Sequence, residues 1–107
     1  MEHVKDQKLK ELLLHSAAEF LNIESNKTSL ITVTNVSIGD RGRNATIFFT
    51  VLPDDKEKAV LEFVKRKRNE FKVFLAKKAK IQRMPSVDFG IDTGEKNRQK
   101  IDSLSVN

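Results

Sequence analysis

Apolar positions recur every three or four residues at the start of this chain and every second residue soon afterwards. Leu9, Leu12, Leu13, Ser16, Ala17, Phe20 and Leu21 form one stripe, with Lys8, Lys10, Glu11 and Glu19 off it. That spacing predicts an amphipathic helix over 4–22. A polar connector, Asn22 to Ser29, follows. Leu30 to Ile38 is rich in Ile, Val and Thr and reads as a strand. Its alternation changes phase: Ile31 and Val33 share a face, then Val36 and Ile38 take over. A bulge near Thr34 and Asn35 restores a single face. Gly39-Asp40-Arg41-Gly42 is a turn signal. Beyond it, Ala45, Ile47, Phe49 and Val51 alternate with Thr46, Phe48 and Thr50 in a second strand, 44–52. Two such strands with a short glycine-containing loop predict an antiparallel hairpin. Gly39 to Gly42 also spells G-x-x-G, but between strands it reads as hairpin chemistry.

Pro53-Asp54-Asp55 ends the second strand and offers an aspartate as N-cap for a helix. From Lys56 to Arg83 the helical period runs through Val60, Phe63, Val64, Phe71, Phe74, Leu75 and Ile81. The stripe fails at Lys67 and Arg68. Asn69 follows, and asparagine enters the left-handed region at low cost. Two helices joined by a kink at Asn69 are expected; a single continuous helix is the alternative. Pro85 closes this region, because the residue before proline avoids helical geometry. Val87, Phe89 and Ile91 alternate in a third strand. Thr93-Gly94-Glu95 opens a short tail helix within 93–107, carrying Ile101 and Leu104. The expected fold class is α+β: one domain over 1–107, in the order helix, strand, strand, helix, kink, helix, strand. Helices cover one face of a three-stranded sheet. This order resembles that of the bacterial-type (type II) KH domain, an RNA-binding architecture.

Composition narrows the chemistry. The 107 residues include no cysteine, which excludes disulfides and thiolate metal sites. His3 and His15 are twelve positions apart, not the spacing of a helical metal pair. No apolar run approaches the ~20 residues of a membrane span. Glu2, Asp6 and Glu11 among the early lysines argue against a signal or transit peptide. The net charge is +5, but Lys56 to Arg83 alone carries +8 and the remainder −3. So lopsided a field attracts a polyanion.

Three stretches together resemble the ribosome-binding factor A family. Ile31 to Asp40 with Ala45 to Leu52 is similar to that family's hairpin, including the aspartate at the turn. Phe71 to Pro85 resembles its second core helix and closing proline. Pro85 to Asp92, with Ile101 and Leu104, resembles its last strand and closing segment. The family marks its helix kink with alanine, any residue, glycine; here that triplet is Lys67-Arg68-Asn69. The resemblance implies a cytoplasmic, monomeric factor without catalytic activity, cofactor, membrane or small-molecule substrate. Its partners would be 16S rRNA and the small (30S) ribosomal subunit. It would assist late rRNA maturation, including the 5′ end region, leave before translation begins, and matter most in the cold.

The candidate RNA-binding residues are Lys65, Arg66, Lys67, Arg68, Asn69, Lys72, Lys77, Lys78, Lys80 and Arg83, with Arg41 and Arg43 in the hairpin loop. Cations spaced along a rigid helix suit phosphates. Arg68, Lys72 and Lys80 are expected to share an exposed ridge, with Lys77 and Lys78 beside it. A second helix beginning near Glu70 would add free N–H groups. All seven aromatics are phenylalanine, and six lie on expected core faces. Phe48 is the exception: a base-stacking candidate or an edge-buried ring. Two other readings remain: a KH-like module for another RNA, and a basic protein-interaction domain. Asp88 and Asp92 share a strand face about 13 Å apart, too far for a carboxylate dyad.

Overall fold

A computed structural model describes the backbone of residues 4–24, 28–81 and 83–105, and side chains within 7–23, 28–81 and 83–101. The expected contributions of His3 and Leu104 lie outside those side chains. Helix α1 spans Val4–Glu24. Its stripe is the buried one: Leu13, Ser16, Ala17, Phe20 and Leu21 are all under 5% exposed.

Strands β1 (Leu30–Gly39) and β2 (Asn44–Leu52) form the expected antiparallel hairpin. Val33 pairs with Phe49 and Asn35 with Phe48, so Thr34 is the extra residue of a bulge. The bulge repairs the phase change. Ile31, Val33, Val36 and Ile38 all face core residues of β2, namely Val51, Phe49, Ile47 and Ala45. The connecting 3₁₀ turn, Asp40–Gly42, holds Asp40, Arg41 and Gly42 at φ of 50°, 55° and 86°. Three successive left-handed residues reverse the chain tightly, and glycine at the last carries no Cβ penalty.

After Pro53, the two aspartates occupy a further 3₁₀ turn, Asp54–Lys56, closed by Lys56 N–H donating to Pro53 O. The N-cap of α2 (Glu57–Arg66) is Lys56, without a side-chain cap, so the aspartates are not caps. Helix α3 covers Arg68–Lys78, and β3 covers Ser86–Ile91. β3 lies parallel to β2, with Ala45 opposite Val87 and Ile47 opposite Phe89. Parallel neighbours need a long crossover, and α2 and α3 supply it. β2 is therefore the central strand of the order β1-β2-β3.

Helices α1 to α3 pack on one face. Val60 and Val64 of α2, Phe71 and Leu75 of α3, and the α1 stripe meet Ile47, Phe49, Val51, Val87 and Phe89 of the sheet. Phenylalanines knit these layers: Phe71 lies 5.4 Å from Phe20 and 5.7 Å from Phe89, between ring centroids. Phe48 is half-buried on the other face. Its ring lies against Gly90, whose missing Cβ would sit 3.6 Å from two ring carbons.

Helix α4 (Thr93–Ser105) leaves this layer. Asp92 caps it, accepting Glu95 N–H at 3.0 Å, and its other oxygen accepts the Thr34 hydroxyl at 2.5 Å. The bulge in β1 thus also anchors α4. Lys96 Nζ pairs with Glu57 at 3.0 Å. Gln99 and Lys100 line a recess with Thr50, which is 4% exposed although it faces away from the main core.

The interruption between α2 and α3 differs from the expectation in position and geometry. It falls at Lys67, with φ −93° and ψ 6°. Asn69 lies inside α3 and is not among the positive-φ residues. Lys67 N–H donates to Val64 O at 3.0 Å, a tightened i→i−3 turn, and Phe71 N–H returns to Lys67 O at 2.9 Å. The break needs no left-handed residue, because φ stays negative and the bridge region, though sparsely populated, is sterically allowed for L side chains. That is why lysine is tolerated here. Its ammonium lies 5.6 Å from the Phe63 centroid and 3.1 Å from Glu70 Oε2.

Candidate nucleic-acid interface

The break turns the end of α2 and the start of α3 toward edge strand β3. Lys65, Arg66, Arg68, Asn69 and Lys72 then line one polar cleft of about 250 Å³, with Ser86 and Val87 forming its β3 wall. Five of the candidate residues are brought together here. Arg68 braces the geometry: its Nε donates to Lys65 O at 3.0 Å, and its Nη1 meets Asp88 Oδ1 at 3.2 Å. Arg68 therefore ties α2, α3 and β3, and its charge is partly answered by Asp88. The charge of Lys67 is answered by Glu70. Lys65, Arg66 and Lys72 make no ion pair with a described residue. These three cations are open to a ligand.

The hairpin turn joins this end of the sheet. Ser86 N–H donates to Arg43 O at 2.7 Å, and Ser86 lines the cleft. The backbone of Arg43 is thus tied to the β3 wall of the cleft, with Arg41 in the adjoining turn, and both side chains are exposed.

The remaining candidates lie elsewhere. α3 ends at Lys78, with Ala79 extended at φ −152°, so Lys80 and Arg83 sit in the loop before β3. The expected ridge of Arg68, Lys72 and Lys80 does not form. Ile81 and Met84 leave helical geometry to pack on the core, and Pro85 is fully buried. Lys77 and Lys78 are about 14 Å along the helix axis from Arg68. Lys78 pairs with Glu19 of α1 at 2.7 Å and lies 5.4 Å from the Phe74 centroid, so its charge is partly answered. The second helix starts at Arg68, not Glu70. Ser86, Val87 and Asp88 were missed by sequence reasoning. Nothing in a strand's alternation says which residues will face a kink twenty positions earlier.

Asp88 and Asp92 each have structural partners, Arg68 and Thr34. The Thr34 hydroxyl, together with the Glu95 N–H, holds the Asp92 carboxyl below its ordinary pKa. His15 is exposed, and no group of metal-ligating side chains occurs among the described residues. None of the described helices is long and apolar enough to cross a membrane.

A three-stranded mixed sheet, helices on one face and an interrupted helix pair beside the edge strand define a KH-like α+β domain of the type II order. The chain belongs to the ribosome-binding factor A family, whose model matches residues 5–105. It is 29% identical over 100 residues to the ribosome-binding factor A of Thermodesulfovibrio yellowstonii, covering 92% of this chain and 85% of that one. The crystal structure of ribosome-binding factor A from Thermus thermophilus superposes with a TM-score of 0.70 at 20% identity, over 79% of this chain and 93% of that one. A homology model of the Thermus thermophilus factor, as fitted into the cryo-EM map of a 30S complex, gives 0.68 at 20% identity, over 78% and 90%.

Proposed function

We propose that residues 1–107 act as one KH-like RNA-binding unit that binds free or precursor small ribosomal subunits and assists late 16S rRNA maturation. The observation that carries this reading is the cleft at the α2–α3 break, where Lys65, Arg66 and Lys72 have no ion-pair partner among the described residues and Arg68 is tied to Lys65 O and Asp88. Family membership supports the ribosomal partner, and a relative from Thermus thermophilus has been fitted into a 30S complex. The protein works by binding alone, as a cytoplasmic monomer without cofactor or catalysis.

Phosphates follow the cleft, and its cations displace counterions from the RNA. Arg66 can engage a phosphate in bidentate fashion, and Lys65 and Lys72 act as point charges. Arg41 and Arg43 extend the track at the hairpin turn. With no Tyr or Trp, binding in the cleft itself rests on phosphates and on the shape of folded rRNA.

Sucrose-gradient sedimentation of a cell extract, followed by crosslink mapping, tests this. The protein should travel with free small subunits and crosslink to 16S rRNA through peptides containing Lys65 to Lys72. Co-migration with a different RNA, or sedimentation as free protein at low salt, would overturn the ribosomal assignment.

A further inference from the structure

A second recess opens on the other side of α2. Thr28, Ser29 and Ile31 at the start of β1 face Lys56, Ala59, Val60, Phe63 and Arg66 across about 290 Å³. Ile31, Val60 and the half-buried Phe63 give it an apolar lining. Lys56 and Arg66 supply cations, and Ser29 supplies a hydroxyl able to donate or accept. The volume sits at the small end of ligand sites, about 300 Å³. It suits one planar group and not a helix. Arg66 belongs to both this recess and the cationic cleft.

We infer that this recess receives one unpaired base of the bound RNA, with Arg66 holding the phosphate between cleft and recess. The inference rests on the RNA-binding reading and adds a second site to it. Three features converge on a nucleotide. Phe63 provides an aromatic surface, and bases stack on aromatic side chains in single-stranded recognition. The Lys67 ammonium, outside the recess lining, lies 5.6 Å over that ring and adds positive charge beside it. The recess continues the phosphate track through a shared arginine, so a strand in the cleft delivers its neighbouring base there. Ala59, exposed and small, leaves the entrance open.

Two measurements on the full chain test it. In an amide NMR titration with adenosine 5′-monophosphate, Thr28, Ser29, Ala59 and Phe63 should shift. With inorganic phosphate alone, only Lys65 to Lys72 and Ser86 should shift. Identical shift patterns for the two probes would overturn the inference. The second measurement is affinity for a single-stranded hexaribonucleotide. Ala59→Trp fills the recess without removing a core side chain and should weaken binding about tenfold, within the ~1–3 kcal/mol of one stacked base. Correct folding of the variant is read from its retained amide dispersion. Equal binding by wild type and Ala59→Trp, with binding lost in Lys72→Glu, would sink the base recess and leave the phosphate cleft standing. No binding by any form, together with no sedimentation on small subunits, would remove both.

Discussion

Replacing Asn69 with alanine separates two geometries for the α2–α3 break by sign. Asn69 is exposed, in the first turn of α3, with a right-handed backbone. No hydrogen bond or ion pair from its side chain to a described residue holds it there. Alanine is the better helix former by about 0.5 kcal/mol, and somewhat less in a first turn, so the variant should gain roughly 0.2–0.5 kcal/mol. For a chain this long that corresponds to a rise of about 1–3 °C in Tm. A left-handed Asn69 would give the opposite result. Alanine at positive φ costs about 1–2 kcal/mol, a fall of roughly 4–10 °C. Thermal unfolding followed by circular dichroism resolves the two. A clear fall in Tm with the break otherwise intact would refute its placement at Lys67.

Further outcomes follow from the packing. Phe71→Ala empties the junction of Phe20, Phe89 and the sheet and should cost about 3–5 kcal/mol in denaturant unfolding. Thr34→Val removes the hydroxyl from Asp92 and should cost about 1 kcal/mol at neutral pH, a discounted value because the pair is only partly buried. Asp92 is depressed in the folded state, first by Thr34 and then by the Glu95 N–H. Its contribution is therefore present above the unfolded value of about 3.9 and is lost as pH falls through the lower folded value. The gap between wild type and Thr34→Val should narrow only below about pH 4; a gap that is unchanged at about pH 2.5 would exclude Asp92 as the partner. Arg68→Ala releases Asp88 and Lys65 O and should weaken subunit binding more than Lys77→Ala does, measured by co-sedimentation.

Much of the fold was legible because its signals are periodic. The α1 stripe, the β2 alternation and the phase change in β1 each state which side faces inward. The Thr34 bulge follows from the phase change alone, since only an extra residue puts Ile31 and Ile38 on one face. The helix interruption was legible as a failure of period at Lys67 and Arg68. Its geometry was not, because lysine carries no turn signal and the bridge conformation is sterically allowed for L side chains in general. The end of α3 was misread because Ile81 continues the helical period while packing from a loop. The cationic cluster was visible as charge, but its division was not. Glu70, Asp88 and Glu19 each claim a cation, and two of the three pairings join residues twenty or more positions apart. Those carboxylates leave Lys65, Arg66 and Lys72 without an ion-pair partner among the described residues.

If Lys65, Arg66 and Lys72 hold the small subunit through phosphates, affinity must depend on salt and on these charges. The most direct measurement is the affinity of purified free small subunits for wild type and for an Arg66→Glu, Lys72→Glu double variant, across a salt series. Neither residue takes part in an ion pair with a described residue, so the variant should remain folded. With about six phosphates contacted, the wild-type log–log slope should be about −4 to −5, and the variant should bind far more weakly with a slope shallower by about 1.4–1.8. A flat wild-type slope, or a variant with unchanged affinity and slope, would contradict the account.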